Sequence, residues 1–426
     1  MNNSDAITII AIDRAEQDLV GACEQLKLTF GKDVNAYLLV SKQYKNSSLY
    51  HGDETDGYFN EIICDFYNPE EMRKIVSEIA TDKTAVFCRS ESGIKDLGKI
   101  VDIFPQFFAP DSTALLTSTD KNLMRLSISR LHPELCPKYI PVRSVEEYYT
   151  IDKSKLLYPV IVKPMGLNSS MLVNKCWSQD ELDICIKDIF KIVSIVYERE
   201  IGTGQPGLLI EEFMIGNMYS IDAYINSSSE VFFLPPVRVL TGAEMGVDGY
   251  YSYRHILPCE LSEDEINSAN QATEKAMKAV GLRSSTAHVE LFKTATGWKI
   301  IELGPRIGGY RQEIYMEAFG INHFYNDLLL HLGENPDMNK KWIKHAAGFN
   351  IYADREGLIK KISGVDEAKQ AESVIKLNLS AKVGDKSVFA SNGGHYLVDG
   401  ILANKSKEQL EVDMAKIRQL IKFDIV

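Results

Sequence analysis

Several features that settle a function early are missing from this sequence. No segment approaches the roughly 20 consecutive apolar residues that span a bilayer. The start has no cationic stretch, and the apolar run 6–12 is short and ends at Asp13-Arg14, so it reads as a buried strand rather than an export signal. Cysteines are sparse: the seven are odd in number and dispersed, none sits in a C-x-x-C pair, and several lie inside apolar stretches such as 85–88. That pattern excludes a disulfide framework and fits buried, reduced thiols. Asn46, Asn168 and Asn226 head N-x-S sequons, which carry no meaning without export, and the expected compartment is the cytoplasm. An excess of basic charge is also missing. With 47 Lys and Arg against 59 Asp and Glu, the net charge of −12 argues against general nucleic-acid binding and leaves room only for a local basic pocket. Neither a G-x-G-x-x-G after the first strand nor a G-x-x-x-x-G-K-[ST] is present, so a dinucleotide fingerprint and a Walker loop are both unsupported.

What is present is ordinary globular composition, 45% apolar and 25% charged, in a 426-residue chain long enough for about two to four compact units. Strand-like runs at 7–12, 36–40 and 84–88 alternate with helical patterns at 15–28, 69–80 and 94–104, which implies a parallel sheet covered on both faces. From Asp120 the texture changes. A helix is expected over 121–131, a strand over 158–163 with a return strand at 171–176, and a long helix from 179 to about 197 with Ser178 as N-cap. A strand at 207–211 and a hairpin over 219–234 follow. Ser262 with Glu265 three residues later announces a capped helix that Gly281 stops. The tail beyond about 340 reads as a third, smaller α+β unit ending in a helix over 406–421.

The stretch 288–306 carries the most chemistry. Residues alternate on both sides of a turn at 294–297. If the turn centres on Thr296, Glu290 stands directly opposite Glu302, with Val289, Leu291, Ile301 and Leu303 on the other face. Opposed carboxylates about 5 Å apart repel and weaken a sheet. A divalent cation between them removes the penalty, and such hard oxygen sites suit magnesium or manganese. A solvated Glu in a different register is the plainer alternative.

Two further stretches add to this. Lys163 ends the apolar strand Val160-Ile-Val-Lys-Pro before a loop holding Gly166, Asn168, Ser169 and Ser170, whose N–H groups and hydroxyls can face phosphate oxygens. The strand Leu208-Leu-Ile-Glu-Glu-Phe runs into a reversal where backbone groups can meet an adenine edge, with Glu211 accepting from its amine. Each has an ordinary structural reading when taken alone.

Together, Asp120-Lys-Asn-Leu-Met-Arg, Val162-Lys-Pro, Ile210-Glu-Glu-Phe, His288-Val-Glu and Ile301-Glu-Leu-Gly-Pro-Arg-Ile-Gly-Gly stand in the order and spacing of the ATP-grasp superfamily. The resemblance runs over nearly the whole chain. Through Val86-Phe-Cys-Arg-Ser-Glu and the tail, the chain is most similar to the bacterial L-amino-acid ligases, which make dipeptides. The resemblance implies an ATP-grasp fold of α/β and α+β parts. These are an N-terminal open parallel α/β domain (1–115), an ATP-grasp domain of two α+β ATP-binding subdomains (116–340, lid about 137–212), and a small C-terminal α+β unit (341–426).

It further implies that Lys121 and Lys163 contact ATP phosphates under the loop bearing Gly166, Ser169 and Ser170, while Glu211, Glu212 and Phe213 form the adenine hinge. Glu290 and Glu302 would bind Mg2+ (or Mn2+), and Arg306 would stabilise the transferring phosphoryl group. Gly308 and Gly309 would let backbone approach a substrate carboxylate. In the loop 241–255, rich in glycine and tyrosine, Arg254 and His255 are candidates to meet a carboxylate or deprotonate an amine. Two departures stand out. Gly304 replaces the family's usual metal-ligating Asn, and Met218 replaces a ribose-binding carboxylate.

The implied activity is ATP-dependent amide formation between L-amino acids through an acyl-phosphate, releasing ADP and phosphate. The partners are then small-molecule carboxylates and amines rather than nucleic acid or membrane, and a homodimer is the assembly to be tested. The alternatives are the same fold with a purine-pathway-like or carrier-protein acceptor, or a nucleotide-binding protein that has lost catalysis. Retention of both lysines, both glutamates and Arg306 argues against the last.

Overall fold

The computed structural model describes residues 5–46, 50, 54–91, 93–167, 171–200, 207–242, 244, 252–339, 341–389, 392 and 394–426. Its first sheet is built on the strand Ile7–Ile12, whose six residues are all buried and which therefore takes the centre. Val34–Ser41 and Thr84–Cys88 pair with it in parallel on either side, and Asn60–Cys64 forms a partly exposed edge. That edge strand lacks a continuous apolar run and was not evident from sequence. The helices Gln17–Phe30, Pro69–Ile79 and Ile94–Ile103 pack their buried sides against this sheet.

Two capped helices lead out of this unit. The helix Ser112–Thr119 is capped by Asp111 and straddles residue 115. Asp120 then accepts from the N–H groups of Asn122 (2.8 Å) and Leu123 (2.9 Å), which starts Lys121–Leu131 and fixes Lys121 in its first turn. A four-stranded antiparallel sheet follows, in the order Tyr139–Val142, Leu208–Glu212, Val160–Pro164, Asn174–Cys176, backed by the helix Gln179–Glu200. In its register Ile161 faces Glu211 and Lys163 faces Leu209, so Lys163 and Glu211 share one face as diagonal neighbours.

The largest sheet has nine strands. Gly297–Gly304 and Ser285–Thr294 lead through Gly216–Ile225 and Val237–Thr241 to Ser252–Leu257, and then to His345–Ile351, Val398–Asn404 and Val374–Leu379, with Val231–Phe233 paired to Gly216–Ile225. The tail beyond 340 takes part in this sheet. Its strands extend the same sheet, and the helix Lys407–Leu420 covers them. The capping box of Ser262 and Glu265 starts the helix Glu263–Ala279, and Gly281 follows it in the left-handed region at φ 82°. Among the described residues no helix is long and apolar enough to cross a membrane.

The hairpin pairs Glu290 with Glu302, as the alternation predicts, but reaches that pairing differently. Near the turn the partners are Thr294 with Gly297 and Leu291 with Ile300, which is one residue out of the expected register. An irregularity between Glu290 and Leu291 restores it. Ile300, rather than Ile301, then fills the core with Val289, Leu291 and Leu303. Ile301 is the extra residue opposite this step and turns to the cavity side beside Glu302. This assignment separates two adjacent isoleucines by experiment. Ile300→Ala is expected to lower unfolding stability by about 2–5 kcal/mol, the range for a truncated core side chain. Ile301→Ala should cost under about 1.5 kcal/mol and weaken nucleotide binding instead. Urea unfolding with nucleotide titration reads both.

Candidate active site

The four-stranded and nine-stranded sheets, with the helix Lys121–Leu131, bring the distant motifs to one cavity of about 120 Å³, lined by Lys121, Lys163, Glu211, Glu212, Phe213, Glu290 and Glu302. Its remaining wall is largely apolar, including Leu167, Met171, Met218 and Ile301, which suits a flat heteroaromatic ring. Lys175 lies 3.6 Å from the centre of the Phe213 ring.

The floor of this cavity is a buried triad. Glu211 accepts from Arg125 Nε (2.8 Å) and pairs with Lys163 Nζ (2.8 Å), and Arg125 also donates to the Ile301 carbonyl (2.7 Å). Burial acts to raise the Glu211 carboxyl, but the Arg125 and Lys163 charges outweigh it and bring it to about 2. Burial lowers the Lys163 ammonium; Glu211 opposes that shift, and the nearby Arg125 and Lys121 charges reinforce it. Two cations thus share one carboxylate, which leaves one positive charge for an anionic ligand. The expected role of Glu211 changes accordingly. Its oxygens are committed to two cations, so its part is to hold Lys163 rather than to read an adenine amine. Gly166 also differs from expectation, because its N–H donates to the Tyr197 hydroxyl (2.6 Å) instead of facing the cavity. Ser169 and Ser170 lie outside the described residues.

Glu290 and Glu302 close the cavity at its far end. Lys121 Nζ is 3.0 Å from Glu302 and donates to the Leu167 carbonyl, while His288 Nε2 is 3.5 Å from Glu290. Burial would raise Glu290, yet the His288 bond and the charges of His288, Arg311 and Lys121 leave it below its ordinary value. Both facing carboxylates are therefore neutralised by neighbouring cationic groups. Hard oxygen donors of this kind fit magnesium or manganese. Among the described residues no group of three or more His, Cys, Asp or Glu side chains is arranged to hold a metal. The rest of a coordination sphere would come from phosphate oxygens and water, as magnesium prefers and as Gly304 in place of a ligating side chain requires.

A second cavity, about 330 Å³, shares Glu290 and Glu302 with the first and contains Arg306, Gly309, Tyr310 and Arg311. Arg306 is bound by Glu91, with Nε 3.1 Å from the carboxylate. Under the second cavity lies Asp222, fully buried. It accepts from His288 Nδ1 (2.6 Å), His323 Nε2 (3.0 Å) and the Gly308 N–H (2.9 Å). Burial opposes its ionisation, but the two histidines hold it well below the usual carboxylate range. The Gly308 N–H is thus unavailable to a substrate. A Cβ there would meet His288 Nδ1 at 2.3 Å, so the glycine serves close packing, whereas Gly309 has open space beside it and a carbonyl that accepts from Arg311 (2.9 Å).

Arg254 and His255 are not loop residues but neighbours on the strand Ser252–Leu257, and so face opposite sides. Arg254 points to the last helix and pairs with Glu411 at 2.5 Å, away from the cavity. His255 lines the cavity and accepts from Arg311 (3.2 Å). Burial, then the charges of Arg311 and His288, keep it neutral. Tyr310 sits in the left-handed region at φ 62°, unusual for a tyrosine, held by its hydroxyl on Asn350.

Residues 156–313 match the ATP-grasp domain family, and residues 350–426 match L-amino acid ligase C-terminal domain 2. The chain therefore carries an ATP-grasp domain followed by an L-amino acid ligase C-terminal domain. Its fold is similar to the crystal structure of an L-amino acid ligase from Bacillus licheniformis, with a TM-score of 0.75 at 18% identity over 99% of both chains. It is also similar to that of phosphoribosylglycinamide synthetase from Anaerococcus prevotii, with a TM-score of 0.65. In sequence it is 21% identical over 305 residues to an uncharacterised protein of Sinorhizobium fredii, covering 71% of this chain and 60% of that one. It is 28% identical over 168 residues to the D-alanine–D-alanine ligase of Bacillus licheniformis, covering 37% of this chain and 41% of that one. The chain thus spans from two fifths to three fifths of these two relatives' own lengths.

Sequence reasoning gave no individual role to Arg125, Asp222, His288, Arg311 or Tyr310. Arg125 and His288 did lie inside the quoted motifs, and a buried arginine on an otherwise apolar helix face was the available signal.

The triad carries the next expectation. Glu211→Gln leaves two buried cations without an anion and should cost about 3–5 kcal/mol of unfolding stability. Because the folded carboxyl lies near 2, below its unfolded value, the stability it contributes is present above the unfolded value and is lost as pH falls through about 2. Denaturation between pH 5 and about 2 should therefore show a shallower loss in the variant than in the wild type.

Proposed function

We propose that this chain is an ATP-dependent carboxylate–amine ligase that joins L-amino acids into a dipeptide through an acyl-phosphate. The observation that carries this reading is the position of Glu290 and Glu302, which line both cavities. A nucleotide seated over Phe213 with its phosphates toward Lys121 and Lys163 would end where the second cavity, with Arg306, begins.

A carboxylate and a triphosphate are both anionic, so their approach needs fixed positive charge. Magnesium or manganese held by Glu290 and Glu302 would supply neutralisation at the terminal phosphates. Lys163, held by Glu211, contributes a charge that cannot swing away. Arg306, oriented by Glu91, faces the side where the carboxylate enters. One carboxylate oxygen attacks the γ-phosphorus, the bond to the β-phosphate oxygen breaks, and ADP leaves. The amine nitrogen then forms the C–N bond, the C–O bond to phosphate breaks, and the amine proton passes to water. Phosphate departs carrying the original carboxylate oxygen. The apolar wall of the first cavity and the depth of the second limit hydrolysis of the intermediate.

Hydroxylamine tests this directly, since it is small and reaches an activated carbonyl without filling an amine site. With mixed L-amino acids, ATP and magnesium, hydroxamate is expected in equal amount to ADP. Arg306→Ala should lower both by about 100-fold or more, the usual loss when a donor to developing charge is removed. Formation of AMP and pyrophosphate, or ADP without a trapped carbonyl, would contradict the reading.

A further inference from the structure

The strand Val160–Pro164 leaves its sheet through a short segment, Met165-Gly166-Leu167, which Lys121 holds at two points. The Lys121 N–H donates to the Met165 carbonyl (3.0 Å), and its ammonium donates to the Leu167 carbonyl (2.6 Å) while lying 3.0 Å from Glu302. An ammonium has three donors in all. Leu167 and Glu302 take two, and because Lys121 lines the first cavity the third is left for a ligand oxygen. The aim of this charge therefore depends on where the Leu167 carbonyl stands.

The peptide joining Met165 to Gly166 is held at both ends. Its carbonyl accepts from the Lys121 N–H, and its N–H donates to the hydroxyl of Tyr197 (2.6 Å). Tyr197 belongs to the helix Gln179–Glu200, and its ring is buried in a core shared with Leu167, Met171 and Leu172. Burial raises its hydroxyl above the ordinary value, so the group stays neutral and able to accept. The fit is close, since a Cβ on Gly166 would stand 3.1 Å from the Tyr197 oxygen. Tyr197 does not itself line the cavity, so any effect it has on a ligand passes through this segment.

We propose that Tyr197 is a positioning residue for the nucleotide phosphates: its hydroxyl fixes the Met165–Gly166 peptide, and so sets the Leu167 carbonyl that aims the Lys121 ammonium. The assignment rests on the nucleotide reading of the first cavity. Packing alone would need only the ring, which phenylalanine keeps. The hydroxyl is what separates a positioning role from a filling one.

Binding tests the proposal without turnover. Calorimetry on the full chain, with magnesium and a non-hydrolysable ATP analogue, compares wild type, Tyr197→Phe, Lys121→Met and the double variant. Tyr197→Phe is expected to weaken the analogue by about fivefold to tenfold, the worth of one hydrogen bond. In the Lys121→Met background the same change should alter binding by less than about twofold, because the side chain through which it acts is gone. Adenosine, measured by competition, lacks the phosphates and should bind Tyr197→Phe as it binds the wild type. Unfolding midpoints check the fold, and Gly166→Ala approaches the same bond with the tyrosine in place and should give a loss in the same direction. An equal loss with and without Lys121, or an equal loss for adenosine and the triphosphate, would overturn the positioning role. The two readings fail separately. A wild-type chain that binds no ATP analogue removes the nucleotide reading, whereas tight binding that Tyr197→Phe leaves unchanged removes the role of Tyr197 alone.

Discussion

Two like charges set face to face are the constraint on which the rest of this structure turns. The hairpin places Glu290 directly across from Glu302, an arrangement that costs stability unless cations answer it. Lys121 and His288 answer it here, and each is tied in turn to another part of the fold. Lys121 is fixed by the Asp120 cap and the Leu167 carbonyl, and His288 is fixed by Asp222. The acidic pair thus organises the helix before it, the sheet above it and the network below it. Both cavities meet at the same carboxylates, so any ligand that bridges the cavities passes between them.

Two buried anions do the positioning around this centre. Glu211 holds Lys163 and Arg125 under the first cavity, and Asp222 gathers His288, His323 and the Gly308 backbone under the second. Each is answered by more than one donor, so neither buried carboxylate is left unpaired beneath its cavity.

Much of this was legible because periodicity is local. Alternation alone placed Glu290 opposite Glu302, and the Ser262 and Glu265 capping box located its helix to within a residue. The register step was not legible. Two consecutive isoleucines satisfy either register, and only packing decides that Ile300 goes inward. Arg254 and His255 were read as a pair because they are adjacent, yet a strand sends neighbours to opposite faces. Glu211 looked available because its partners, 86 positions away at Arg125 and across a strand at Lys163, leave no trace near it in sequence. The tail read as a third unit, and its place in the large sheet was hidden for the same reason. Its pairing with Ser252–Leu257 joins stretches of chain about 90 residues apart, a long-range contact that composition does not announce.

The central claim is that a carboxylate oxygen becomes bonded to phosphorus before nitrogen attacks. The most direct measurement supplies L-amino acids labelled with 18O in the carboxyl group, together with ATP and magnesium, and follows the label by mass spectrometry. An acyl-phosphate route delivers one labelled oxygen to each inorganic phosphate released, with none in ADP. Unlabelled phosphate alongside product, or label recovered in AMP, would contradict the account.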